Sequence, residues 1–346
     1  MQRRHLISVL LALAGSTLAP AALAATPVTL RVLTHSSFDL PQEQLAQFEK
    51  DAGVKLRLIK AGDAGEMTNK LILTQARPIA DVVYGIDNTL LPRALAAGVI
   101  EPYTGPAAQR PAAATLDAGV VPVDYGFVTL NIDKAWFARS GLALPTSLDD
   151  LTQPAYRKLL VVQNPATSSP GMAFLLATIG GLGEEQAFAW WAAMRANGVK
   201  VAKGWTEAYY TEFTRNGGTR PIVVSYASSP AAEVFYSKDK LTESPTANLF
   251  LRGGVFRQVE GVALVKGGQP AAREAAGKFI EFLRSPGVQQ SLQTTMWMYP
   301  AEAGAPRAEV MQRHAVEPQA HDSPSSAEVA AKSKAWVQRW TRVVLK

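Results

Sequence analysis

A chain of 346 residues, 47% of them hydrophobic, can bury one large core or two medium ones, and two lobes is the better expectation for this length. It contains no cysteine, which excludes disulfides, thiolate nucleophiles, thiolate metal sites and a lipidated cysteine anchor. The net charge of +6, of which Arg3 and Arg4 supply two, bears on solubility and is too small over this length to mark a nucleic-acid binder.

Arg3 and Arg4 precede an apolar run over residues 6–14 that is too short to span a bilayer, and Ala22-Leu23-Ala24 forms a small-x-small cleavage site. Residues 1–24 therefore read as a secretory signal peptide. No later apolar run reaches about 18 residues, so the mature chain is expected without a membrane span, free in the periplasm as a monomer.

Residues 28–33 read as a strand, and 41–51 as a helix with Leu45 and Phe48 on one face. Residues 54–59 alternate as a strand, 66–74 are helical, 80–84 form a short apolar strand, and 89–97 form a helix closed by Gly98. This β-α-β-α-β order predicts an α/β lobe with a mostly parallel sheet, whose ligands sit at the carboxyl ends of the strands.

A second series begins after Asp133, with strands at 159–163, 199–202 and 221–225 and helices at 170–179 and 184–197. Two extended stretches, 121–130 and 258–266, are placed to cross between the lobes and form a two-crossing hinge. The expected division is residues 25–123 plus 262–346 for lobe 1, C-terminal helices included, and 124–261 for lobe 2. Helices are expected at 271–283 and from Ser285-Pro286 to Gln293, and residues 304–326 read as a surface connection. Val329, Trp336, Trp340 and Val343 recur at helical spacing and predict a terminal amphipathic helix docked on a lobe.

Three segments set aromatic rings beside small polar residues. They are Lys203-Gly204-Trp205-Thr206-Glu207-Ala208-Tyr209-Tyr210, Ser225-Tyr226-Ala227-Ser228-Ser229-Pro230 and Trp297-Met298-Tyr299-Pro300. Such a combination suits a flat, cationic organic ligand, because ring faces attract cations at roughly 0.5 to 2 kcal/mol per contact. Trp136, Trp190 and Trp191 belong instead to the expected core. Catalytic signatures are missing: there is no Gly-x-Ser-x-Gly elbow, His-Glu-x-x-His, Walker loop or glycine-rich dinucleotide fingerprint. An enzyme is not expected, an extracellular hydrolase acting through a carboxylate pair is the weakest alternative, and no cofactor is called for.

The order and spacing of six segments resemble the bacterial periplasmic thiamine-binding proteins over nearly the whole mature chain. These are Ala80-Asp81-Val82-Val83-Tyr84-Gly85-Ile86-Asp87-Asn88, residues 121–131, Thr167-Ser168-Ser169-Pro170-Gly171, residues 203–209, residues 225–230, and Trp297-Met298-Tyr299-Pro300. The resemblance implies a two-lobed periplasmic-binding-protein fold that closes on ligand, thiamine and its phosphate esters as ligands, and delivery to the inner-membrane permease of an ABC transporter. Carried over residue by residue, it implies a site lined by Asp63 and Ala64, by Ser168 and Ser169 across the cleft, by Trp205, by Tyr226, Ala227, Ser228 and Ser229 along one wall, and by Trp297. There are departures. A family tyrosine is His35 here, a tryptophan expected near Phe38-Asp39-Leu40-Pro41 is missing, and another tyrosine is replaced by Ala232, so the aromatic enclosure is expected to be thinner.

Thiamine carries a permanent positive charge. Micromolar binding needs about 8 kcal/mol, more than the roughly 1 to 5 kcal/mol that two or three cation–π contacts supply. Asp63 is thus expected to complement the cation or the amino group in a desolvated cleft. Ser168-Ser169-Pro170 reads as a helix start whose amides would attract a phosphate. The rival reading is a ferric-ion receptor using Tyr209, Tyr210, His35 and Asp63, hard oxygen and nitrogen donors suited to Fe(III).

Overall fold

The computed structural model describes residues 27–346. The signal peptide expected over residues 1–24 lies outside the described residues. Eleven strands form one sheet among them. They are β1 (Val28–Thr34), β2 (Val54–Lys60), β3 (Val82–Asp87), β4 (Ile100–Glu101), β5 (Val121–Asp133), β6 (Leu160–Gln163), β7 (Lys200–Ala202), β8 (Ile222–Tyr226), β9 (Thr246–Leu249), β10 (Phe256–Val265) and β11 (Tyr299–Pro300). The main path runs β2-β1-β3-β10-β5-β8-β6-β7, with β4 beside β10 and both β9 and β11 beside β5.

The two flanks of this path are parallel, as β-α-β order dictates: β2, β1 and β3 on one side, β8, β6 and β7 on the other. The two expected crossings are β5 and β10. They pair antiparallel from Val128 opposite Phe256 to Val121 opposite Val262, so the lobes share one continuous sheet through its centre. Glu260 and Gly261 face Asp124 and Pro122, which leaves Val123 as an extra residue on β5, and Gly261 and Val262 face Ile86 and Tyr84, which leaves Gly85 extra on β3, so both neighbours bulge against an uninterrupted β10. Gly261 is required there, since a Cβ would lie 2.6 Å from both Leu116 Cδ1 and Val120 Cγ1.

Hydrophobic side chains collect on both flanks. Val32, Tyr84, Phe279 and Ile280 belong to one core, and Leu130, Leu160, Phe174, Trp190 and Trp191 to another. The terminal helix Ser326–Trp340 opens on a reciprocal Ser325/Glu328 capping box and puts Val329, Trp336 and Trp340 into the second of these cores. Trp340 meets Trp191 edge-on at 5.5 Å, and Arg339 pairs with Glu185 at 2.6 Å. The expected division put residues 262–346 wholly with lobe 1. The helix docks on lobe 2 instead, because that is where its tryptophan face finds apolar surface to bury. The expected surface connection also contains a short helix, Glu309–His314, anchored by buried Met311.

Candidate functional site

The parallel strands present their carboxyl ends to a shared cleft. His35 follows β1, Asp63 follows β2, Ser169 follows β6, Trp205 follows β7, and Ser228 and Ser229 follow β8. All six line one cavity of about 340 Å³, within the range of a small organic ligand, and Tyr226 and Trp297 line it too. Ala64, Ser168 and Ala227 are buried and are not part of its lining. Ser168 instead caps the helix Ser169–Leu182, its hydroxyl accepting from the Gly171 N–H at 3.5 Å.

The aromatic wall has a built order. Trp205 stacks on Tyr209 at 5.1 Å and meets Tyr210 edge-on at 5.5 Å, while its indole N–H donates to the Ser225 hydroxyl at 2.8 Å. That hydroxyl lies 2.8 Å from Ser229, so a side-chain chain runs from indole to wall. Trp297 and Tyr236, edge to face at 5.5 Å, line the same cavity. Sequence reading noted the tyrosine missing at Ala232. Tyr236, one helical turn on at the end of Ser229–Phe235, supplies a ring to the same cavity, and only the i, i+4 geometry of that helix would have revealed it.

Trp297 has φ +60°, a left-handed conformation that is costly for a bulky aromatic. It is held there by the Ser228 hydroxyl donating to its carbonyl at 2.5 Å and by β11, which pairs Tyr299 with Tyr125 two residues later. Its indole N–H is buried with no partner, although it lines the cavity.

Asp63 was expected to face a ligand. It lines the cavity, but its two oxygens accept main-chain N–H groups: Oδ1 from Ala64 at 2.7 Å, and Oδ2 from Trp205 at 3.0 Å on the other side of the cleft. Further contacts cross nearby. The Glu66 N–H donates to the Thr167 carbonyl at 3.2 Å, and Lys203 meets Glu66 at 2.7 Å. The lobes are closed on each other.

The polar lining missed by sequence reading includes Arg215, Asn216, Glu233, Ser237 and Glu260. Arg215 pairs with Glu233 at 3.0 Å, and Glu233 also accepts the Tyr209 hydroxyl at 2.8 Å. Gln258 Nε2 donates to Glu260 at 3.2 Å and lies 3.5 Å from the Ser169 hydroxyl. A phosphate at the start of the Ser169–Leu182 helix, as the sequence suggested, would therefore sit beside the Glu260 carboxylate and be repelled by it.

Behind Glu260 lies an acidic group at the hinge. The Tyr84 hydroxyl donates to Asp124 at 2.5 Å and lies 3.3 Å from Glu260. Burial pushes the Asp124 carboxyl well above its ordinary range, and the nearby Glu260 charge adds to the shift. Asp87, also fully buried, is raised from 3.8 to about 7, mainly by desolvation and against three hydrogen bonds from Thr89 and Leu90. A carboxyl whose pKa rises on folding costs stability once it must ionise. This group's share of stability is thus complete below about pH 4, declines as pH rises to about 7, and is flat beyond. Asp87→Asn is expected to remove that part of the slope in urea unfolding between pH 4 and 8, and parallel curves for variant and parent would refute the assignment.

The four residues of the ferric reading, Tyr209, Tyr210, His35 and Asp63, also line this cavity. Burial beside Glu233 pushes the Tyr209 phenol well above 10, its hydroxyl is given to Glu233, and Asp63 is given to the main chain. Among the described residues no three His, Asp or Glu side chains stand close enough to hold a metal ion. Two of the four donors, Tyr209 and Asp63, are thus committed elsewhere, which disfavours the ferric alternative.

Residues 77–323 match the family model described as bacterial extracellular solute-binding protein. The chain is 32% identical over 303 residues to the thiamine-binding periplasmic protein of Escherichia coli (strain K12), with 86% of each chain covered. It is 23% identical to iron uptake protein A1 of a Synechocystis species, over 78% of this chain and 74% of that one. Among solved structures, a periplasmic thiamin binding protein superposes with a TM-score of 0.80 at 29% identity, covering 91% of this chain and 96% of the other. With a family model spanning more than half its length and a relative this similar across most of it, the chain belongs to the bacterial extracellular solute-binding proteins.

Proposed function

We propose that this protein is a periplasmic receptor for thiamine, which it carries to the permease of an ATP-driven importer in the inner membrane. The observation that carries the reading is one cavity lined by the rings of Trp205, Tyr210, Trp297 and Tyr236, surfaces that suit a planar cation. Its carboxylates, Asp63, Glu233 and Glu260, outnumber its one guanidinium, Arg215, and that balance favours a positive ligand. The relatives named above as thiamine-binding support the same ligand. A phosphate ester would extend toward Arg215, away from the repulsion it would meet at Ser169.

Ligand would bind to the open form and be enclosed as the two lobes turn about β5 and β10. Contacts made only when closed, such as those of Asp63 and Lys203, would stabilise that state. Calorimetric titration of the mature protein with thiamine and its mono- and diphosphate esters is expected to give micromolar or tighter binding, about 8 kcal/mol or more. The absence of heat with all three would overturn the reading.

A further inference from the structure

We propose that Glu260 is the counter-charge of the cleft, the carboxylate that selects a permanently cationic ring over a neutral ring of the same shape. The proposal rests on the reading that an organic cation occupies the cavity.

Glu260 is only 4% exposed, yet it lines the cavity. It lies two residues after Gln258 on β10, so the regular pleat sends both side chains to one face, where they meet at 3.2 Å. Its bonds are weak. Gln258 donates to Oε1 at 3.2 Å, and the Tyr84 hydroxyl lies 3.3 Å from Oε2 while giving its one proton at 2.5 Å to Asp124.

No lysine or arginine among the described residues pairs with Glu260. The one basic side chain near it is His35, with Nε2 at 3.6 Å, too far for a hydrogen bond. That nitrogen is itself buried without a partner, in a residue 8% exposed that also lines the cavity. The imidazole is seated against Gly85, where a Cβ would lie 2.4 Å from His35 Cδ2. The other titratable groups around Glu260 are Tyr84 and Asp87 from β3, Asp124 from β5 and Tyr226 from β8, none of them cationic. A buried carboxylate with incomplete bonds and no cation of its own is costly unless something else completes it. A ligand bearing the missing positive charge does so, and an anionic or neutral one does not.

The test compares thiamine with a neutral isostere in which the thiazolium is replaced by an uncharged five-membered ring, using the full mature protein and calorimetry. Glu260→Gln keeps the shape and removes the charge. It is expected to weaken thiamine at least about ten-fold and the neutral isostere less than about two-fold. Equal losses for both ligands, or no loss for thiamine, overturn the proposal while leaving the thiamine reading intact. Failure of the parent protein to bind thiamine at all would strike the reading itself. If the glutamine variant does not fold, Glu260→Asp, which keeps the charge one methylene further back, is measured instead. Its cation-to-neutral selectivity is expected to fall below the parent's, and an unchanged ratio overturns the proposal.

Discussion

Gly65→Ala is expected to cut ligand affinity at least about thirty-fold, roughly 2 kcal/mol, while leaving the ligand-free protein as stable as before or stabilised by up to about 1 kcal/mol. Gly65 lies in the first turn of the helix Ala64–Leu73, and a Cβ there would sit 2.5 Å from the carbonyl carbon of Thr167 across the cleft. The obstacle is main chain, which cannot swing aside as a side chain could. The next residue's N–H donates to that same Thr167 carbonyl, so the two backbones must touch for the cleft to close. An added methyl would hold the lobes apart and deprive a bound ligand of one wall. In the open form the methyl meets nothing across the cleft, and alanine is the better helix former. Calorimetry would give the affinity, and ligand-free thermal unfolding the stability. X-ray scattering is expected to lose the compaction seen when ligand is added to the parent. Undiminished affinity would mean that the cleft does not work by closure.

Trp205→Ala is expected to weaken thiamine binding by about ten- to a hundred-fold, the range of a buried aromatic hot spot. The ring is held on three sides, by Tyr209 stacked behind it, Tyr210 at its edge and Ser225 at its indole nitrogen, and its remaining surface lines the cavity. Such restraint means little ordering cost on binding. The ligand-free protein should unfold at nearly the same temperature, since Trp205 is only half-buried and Ser225 keeps Ser229 as a partner after the indole is gone. Lower unfolding temperature with affinity retained would make Trp205 a packing residue.

Both expectations depend on contacts across the cleft, and the Asp63 carboxylate shows how a sequence can identify a position while misjudging its work. Its place after β2 was legible from the β-α-β order, which sends strand ends to the cleft. Its partners were not, because the Trp205 N–H is 142 positions away and comes within reach only when the lobes meet. Glu260 was missed for a related reason: in Gln-Val-Glu-Gly-Val-Ala-Leu-Val-Lys it reads as one polar residue in a stretch crossing between the lobes, and only the assembled sheet shows which face of β10 meets the cavity.

Local physics in the sequence determined the eight strands of the main path, the parallel flanks, the two crossings and the aromatic segments, though not the short β4, β9 and β11, because hydrophobic period, turn residues and motif spacing act over a few residues at a time. The docking of the terminal helix on lobe 2, the strained seat of Trp297 and the replacement ring from Tyr236 were decided by tertiary structure alone. Each depends on which apolar face or polar partner a distant segment offers, and burial free energy rewards that match irrespective of separation along the chain.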